Sequence, residues 1–354
     1  MQMLSKEERS FPFAPSEKDN FDTSLAVDLS PFFSLSSPTS NRHDCAQSLW
    51  TQLKKDGFAY VRGLPIAGEL ARQALMTTNE FLQNADENVR RSCLTKDRAR
   101  RGYSPMCTEN FASLIGQQGP NDLVRKFRVG PEGQLVVGDS ALWQPNIWPL
   151  TEQWDQADTF RETIRDYYTA MTKAAQTVVK VICEALVAQE PGLSSALRPL
   201  MENDAVSHTS ILTLLGYRTG TRHKGKNKGP LVAPHTDVGV VTILLFDHGD
   251  CAGLQRSDGF GGWIDVELPS SVPDDPVFVV NVADCLSDLS GGKLPSTLHR
   301  VATQSGTVPR NCCALFVGLD PTQILEVGDE SMTYEEWRKR RIFRAQQVLK
   351  CGTS

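Results

Sequence analysis

The stretch from Ile211 to about Glu326 constrains the fold more than any other part of the chain. It is a series of short, β-branched apolar segments separated by turns rich in Gly, Asp and Ser. Examples are Ile211-Leu212-Thr213-Leu214-Leu215, Val240-Val241-Thr242-Ile243-Leu244-Leu245-Phe246, Val277-Phe278-Val279-Val280-Asn281-Val282 and Cys313-Ala314-Leu315-Phe316-Val317. These runs are too short for helices and rich in residues that suit a pleated surface. Short strands punctuated in this way predict a sandwich or a jelly roll.

Upstream the pattern is mostly helical. From Phe160 to about Ala188 apolar residues recur every three or four positions (Ile164, Tyr167, Tyr168, Met171, Ala174, Ala175, Val178, Val179, Ile182), which predicts one long helix. Shorter helices are expected from Cys45 to about Lys55 and from Leu70 to Leu82. Ser24–Ser30 and Phe58–Val61 read as short strands, and Glu335 to Lys350 as a charged amphipathic helix. The first 20 or so residues read as a polar arm. Residues from about Ala85 to Ile147 show no period, so a lid or substrate-lining segment is expected there. The fold class is therefore α+β, with no internal repeat.

A chain of 354 residues that is 40% hydrophobic can bury a substantial core. A net charge of −5 gives no reason to expect nucleic acid or an anionic membrane as a partner. No apolar run approaches the roughly 20 residues that span a bilayer. The start lacks an apolar secretory segment, and nine scattered cysteines without a Cys-x-x-Cys pair read as thiols in a reducing cytoplasm. No obligate protein partner is implied.

The chemistry concentrates at His235-Thr236-Asp237, followed downstream by Leu298-His299-Arg300-Val301. If His235 and Asp237 open a strand, alternation places both on one face, and a distant histidine closes the third corner. Two imidazoles and a carboxylate on one side of an ion form the facial triad of non-haem Fe(II) oxygenases. Arg310 precedes the next strand. If that strand hairpins with the one carrying His299, its guanidinium reaches the same barrel, where it suits a dicarboxylate.

On these residues the chain resembles the Fe(II)/2-oxoglutarate-dependent dioxygenases of the isopenicillin-N-synthase-like family, the group with many plant and fungal natural-product oxygenases. The resemblance runs over nearly the whole chain. Its landmarks are Asp56-Gly57-Phe58-Ala59-Tyr60-Val61, Arg101-Gly102-Tyr103, Asp122-Leu123-Val124-Arg125-Lys126-Phe127, Asn146-Ile147-Trp148-Pro149, Gly253-Leu254-Gln255, Asn281-Val282-Ala283-Asp284 and Tyr334-Glu335-Glu336-Trp337. It implies a double-stranded β-helix (jelly roll) core in residues 201–354 with flanking helices. Residues 1–200 would pack on that core as an N-terminal region, the two forming one compact unit.

The resemblance further implies Fe(II) on His235, Asp237 and His299, and 2-oxoglutarate with its far carboxylate on Arg310. Tyr217 falls where the family places a tyrosine near the cosubstrate. The family usually reads Arg-x-Ser here, whereas this chain has Arg310-Asn311-Cys312. A thiol is the weaker donor, leaving a water, Tyr217 or Asn311 to compensate for Cys312. The implied activity is O2-dependent oxidation of an unactivated C–H bond in a small organic substrate, releasing succinate and CO2, in secondary metabolism. Hydroxylation, desaturation and ring rearrangement are all open to it, and ascorbate should help in vitro. The rivals are a triad oxidase that does without 2-oxoglutarate, which would release no succinate, and a silent binding protein, which would need a broken triad.

Other candidates have plain readings beside the functional ones. His208 reads as a capping or core residue, His248 as a turn residue and His43 as a loop residue. Arg222-His223-Lys224-Gly225-Lys226-Asn227-Lys228, with Arg98, Arg100 and Arg101, is either solvated surface or a basic rim. Phe111, Phe127 and Trp143 are either pocket or core. Cys312 and Cys313 should point to opposite faces of their strand.

Overall fold

The computed structural model describes residues 26–34, 37–96, 101–132, 144–202, 208–217, 230–247, 249, 251–269, 275–302 and 310–351, with the backbone alone at 350 and 351. Its strands are β1 (Val27–Asp28), β2 (Phe58–Arg62), β3 (Gly102–Ser104), β4 (Val124–Val129), β5 (Ile211–Tyr217), β6 (Val232–His235), β7 (Val241–Phe246), β8 (Leu254–Ser257), β9 (Trp263–Asp265), β10 (Phe278–Val282), β11 (His299–Val301), β12 (Arg310–Phe316), β13 (Ile324–Val327) and β14 (Glu330–Thr333). The helices are α1 (Ser30–Phe33), α2 (Thr39–Asp56), α3 (Gly68–Asn79), α4 (Glu87–Ser92), α5 (Ala157–Gln189), α6 (Ser194–Met201), α7 (Asp284–Leu289) and α8 (Tyr334–Cys351).

Among the described residues the strands form an eight-stranded sheet in the order β1-β2-β10-β7-β12-β5-β4-β3, a four-stranded sheet in the order β6-β11-β8-β9 and a separate β13-β14 pair. Successive strands of the jelly roll pass between the two sheets, and side chains from both meet in one apolar cluster. The alternation along each strand sorts the cores. On β5 and β12, Leu212, Leu214, Cys313 and Leu315 join the helices, while Leu215, Tyr217, Cys312 and Ala314 face the smaller sheet. Cys312 and Cys313 thus lie on opposite faces, as expected, and no disulfide occurs among the described residues.

The long helix α5 follows the predicted stripe. Phe160, Ile164, Tyr167, Met171, Ala174 and Val178 are fully buried. At 33 residues it is about 50 Å long, enough to brace α2, α3 and α6. Helix α2 ends at Gly57, whose φ of 75° is left-handed. A β-carbon there would lie 2.2 Å from the Pro295 carbonyl oxygen, so only glycine lets α2 turn into β2 this close to the approach to β11.

Three expectations are corrected. Residues 85–147 are not uniformly irregular: they contain α4, and β3 and β4, which form one edge of the large sheet. The strand pattern was hidden because Lys126 and Arg128 occupy sheet positions that normally carry apolar side chains. His43 lies within α2 rather than in a loop. Arg101 is wholly buried against Gly130 and is not part of a rim. The N-terminal arm, Arg98, Arg100, Trp143, His248 and the basic run 222–228 lie outside the described residues. Among the described residues no helix is long and apolar enough to cross a membrane.

Candidate metal centre

The two histidines of the motif face each other across a ladder. Strand β11 pairs antiparallel with β6, and His299 is directly opposite His235, their ring centroids 4.3 Å apart. Strand β6 ends at His235, so Asp237 does not share a strand with it but lies just beyond, in the turn towards β7. Expectation and structure differ here because the chain must leave the small sheet at once to start β7 in the large one. Its carboxylate is fixed instead by hydrogen bonds: Thr242 Oγ1 donates to Oδ2 at 2.5 Å and Asn281 Nδ2 at 2.9 Å.

That arrangement leaves three ligand atoms converging. Asp237 Oδ1 lies 3.6 Å from His235 Nε2 and 3.8 Å from His299 Nε2, too far for hydrogen bonds. One ligand atom from each residue lies within 4.8 Å of the others, and all three residues are buried. His235 Nδ1 is 2.9 Å from Ala233 O and His299 Nδ1 is 3.0 Å from Thr297 O. Each ring is thereby held in the tautomer whose Nε2 lone pair faces the centre. Burial, and then the neighbouring His299, pushes the His235 pKa down to about 3, so its ring is neutral. Burial opposes ionisation of Asp237, but both histidines and the Thr242 and Asn281 hydrogen bonds hold its carboxyl below the usual range. Two imidazoles and one carboxylate with a free oxygen are a donor set that fits Fe(II).

Both histidine supports are anchored by residues of the N-terminal half. Asp122 Oδ1 accepts the Ala233 N–H at 3.0 Å, and its Oδ2 accepts the Phe111 N–H at 2.9 Å. The Phe111 ring packs 4.7 Å from the His235 ring. Thr297 Oγ1 donates to Asp56 O at 2.6 Å, and the Asp56 carboxylate pairs with Arg256, opposite His299 on β8. A third support comes from the C-terminus. Arg341 on α8 donates to Asp284 at 2.7 Å, to Thr236 Oγ1 at 3.0 Å and to Leu114 O at 2.8 Å. The residue between the two upstream ligands is thus tied to the last helix.

The three ligands open into a cavity of about 220 Å³ between the sheets. Tyr217 and Cys312 line it. Arg310 sits opposite Tyr217 at the end of the β5–β12 ladder, two residues before Cys312 and hence on the same face. The expected hairpin of β11 with β12 does not form: β12 lies between β7 and β5 in the large sheet, facing the histidines from across the interior. Burial raises the Tyr217 and Cys312 pKa values, so both are neutral donors. Asn311 cannot compensate for the missing serine, because it points to the helix side and donates to Asn79 and Asp247. Phe111 lines the cavity, whereas Phe127 is core, packed on Phe81 and Phe160. His208 accepts the Ser210 N–H at 3.1 Å, a capping contact as expected.

Known proteins share this plan. The family described as the 2OG-Fe(II) oxygenase superfamily matches residues 217–318, which contain all six site candidates. That described as non-haem dioxygenase in morphine synthesis N-terminal matches residues 26–151. The chain belongs to the 2OG-Fe(II) oxygenase superfamily. The oxygenase is 29% identical over 285 residues to clavatol oxidase claD of Penicillium crustosum, covering 78% of this chain and 80% of claD. It is 28% identical over 291 residues to the 2-oxoglutarate-dependent dioxygenase citB of Monascus ruber, covering 80% of each. Its fold matches a Neurospora crassa protein solved with alpha-KG and thymine, with a TM-score of 0.70 at 20% identity over 90% of this chain and 96% of that one. The protein is a 2-oxoglutarate-dependent non-haem iron oxygenase, with Fe(II) as metal, 2-oxoglutarate as cosubstrate, O2 as oxidant and a small-molecule substrate.

The sequence did not single out the supports of the oxygenase's site. Asp122 and Asp284 sat inside landmarks without a stated task, and Arg341 inside a helix read as charged and amphipathic. For Asp284 the available signal was a lone acidic residue next to an apolar run; Asp122, between Asn121 and Leu123, gave none.

Proposed function

We propose that His235, Asp237 and His299 hold the Fe(II). Arg310, with Tyr217 and Cys312 beside it, receives the far carboxylate of 2-oxoglutarate. The enzyme oxidises an unactivated C–H bond of a small organic substrate in secondary metabolism, by hydroxylation, desaturation or ring rearrangement. The observation that carries this reading is the buried meeting of three ligand atoms, with no other hydrogen-bond partner among the described residues, at the wall of a cavity. Relatives whose names give a substrate, clavatol oxidase and the proline hydroxylase buaE of Petromyces alliaceus, act on small organic molecules.

When bound, the iron with 2-oxoglutarate and O2 supplies the oxidant that removes hydrogen from carbon, and succinate and CO2 leave. The protein's own residues set the stage. Thr242 and Asn281 occupy one Asp237 oxygen so that the other stays available. Ala233 and Thr297 carbonyls orient the imidazoles. Val232, Leu244, Leu254, Val301 and Phe316 make the walls apolar and keep water away. Because strands from both halves pair in the large sheet, residues 1–200 and 201–354 work as one unit. The free thiols Cys93, Cys183 and Cys285 suit a reducing cytoplasm.

Anaerobic Fe(II) titration, followed by succinate measurement with 2-oxoglutarate, ascorbate and O2, tests the reading. His235→Ala and Asp237→Ala should lose saturable metal binding and succinate release together. Arg310→Ala should bind metal but need far more 2-oxoglutarate. Succinate release that survives His235→Ala sinks the metal assignment.

A further inference from the structure

The cavity beside the triad has two differently built ends. At one end of the β5–β12 ladder Arg310 lies opposite Tyr217. At the other, past the Ile211–Phe316 pair, the lining passes to Thr209, Gly318 and helix α8, which contributes Tyr334, Arg338 and Ile342. Between them most of the wall is aliphatic or aromatic.

Apart from the triad, the charged residues of the lining are Arg128 and Arg338. Arg128 is neutralised by Glu109, which accepts from both of its terminal nitrogens at 2.8 and 2.6 Å. Arg338 has no carboxylate at ion-pair distance and no hydrogen-bond partner among the described residues. Its neighbours on α8 are all paired: Lys339 with Glu335, Arg340 with Glu330 and Arg341 with Asp284. One basic residue in a run of four is thus left uncompensated, and it is the one at the cavity. A half-buried guanidinium beside an apolar wall, with no counter-ion at hand, is ready to take an anionic guest. The Thr213 hydroxyl adds an independent sign of a polar guest. It lines the same cavity, the residue is 2% exposed, and its oxygen has no hydrogen-bond partner among the described residues.

We infer that Arg338 receives a carboxylate of the organic substrate, which is a small, otherwise largely apolar carboxylic acid, with Thr213 meeting a second polar atom. Arg310 and Arg338 then hold the two acids, cosubstrate and substrate, from opposite ends of one ladder. This rests on the metal-site reading above, and a cavity of about 220 Å³ keeps the acid small.

The test titrates benzoate, phenylacetate and cyclohexanecarboxylate, each beside its methyl ester, into anaerobic enzyme loaded with Fe(II) and 2-oxoglutarate, followed by calorimetry. The wild type should bind at least one acid about tenfold or more tighter than its ester. Arg338→Gln should erase that preference and Arg338→Lys should keep part of it. Esters that bind as well as acids, a preference that survives Arg338→Gln, or no binding of any acid would each overturn the assignment. Saturable Fe(II) binding, measured first without any acid, checks the metal reading by itself. Its loss overturns that reading, whereas intact metal binding with equal affinities for acid and ester overturns only the task given to Arg338.

Discussion

Asp122 reaches His235 through a single intervening residue. Its Oδ1 holds the Ala233 N–H at 3.0 Å, and the Ala233 carbonyl in turn lies 2.9 Å from His235 Nδ1. The other oxygen fixes Phe111, whose ring packs on the same imidazole. One carboxylate from the edge of β4 therefore sets both the position and the tautomer of a metal-facing histidine.

Asp122→Ala should lower metal affinity by about 10- to 100-fold, the range seen when a second layer of contacts around a metal is lost. Anaerobic Fe(II) titration reads this, and a thermal melt of the metal-free protein separates it from global unfolding. Unchanged affinity would show that the Ala233 carbonyl needs no anchor.

The Arg341 clamp predicts a different defect. Removing it leaves Asp284 buried, with Ser296 and Thr236 as its remaining side-chain donors, and frees α8 from Leu114 O. Arg341→Ala should cost about 2 kcal/mol in urea unfolding and open α8 to limited proteolysis. Proteolysis at the wild-type rate would count against the clamp.

Cys312→Ser restores the stronger donor at the cosubstrate end of the cavity. KM for 2-oxoglutarate should fall about fivefold, the worth of roughly one modest hydrogen bond, while metal affinity stays put. A KM that rises or does not move would mean that residue 312 does not touch the cosubstrate.

Lys126 supplies a pH dependence. It is 1% exposed, its ammonium is 2.9 Å from Glu109 and 3.9 Å from the Phe111 ring centre, and burial drives its pKa down to about 8. Below about 8 both folded and unfolded chains carry the proton and the cost of burying the charge is constant. Between there and its ordinary 10.5 the unfolded chain holds more of this proton, so the Lys126 contribution to stability rises with pH across that window. The buried thiols and phenols titrate in the opposite sense in both proteins, so the reading is the difference: between about pH 7.5 and about pH 10.5 unfolding curves should show wild type gaining stability relative to Lys126→Met, and a difference that does not change with pH would sink the assignment.

The triad was legible in the sequence because His-x-Asp and a distant His are chemically distinctive, and the strands of the large sheet because Val, Ile and Leu alternate between two apolar environments. The partners of those strands were not. Adjacent strands in sequence pair by default, yet β11 and β12 lie in opposite sheets. The β4 strand was masked by Lys126 and Arg128, whose charges are compensated chiefly by Glu109, a residue far enough back along the chain that only the folded geometry joins them. Arg338 is invisible for the opposite reason: in sequence it is one of several basic residues on α8, and only the pairing of its neighbours and its place on the cavity wall set it apart.

The His235–His299 pairing joins a strand of four residues to one of three, with a register shift before the next pair. Backbone bonding that sparse makes a weak seam. An ion gripped from both sides would act as a rivet through it, stabilising the folded enzyme according to how far the free metal exceeds its dissociation constant. Iron supply would then govern how long the enzyme survives as well as how fast it turns over.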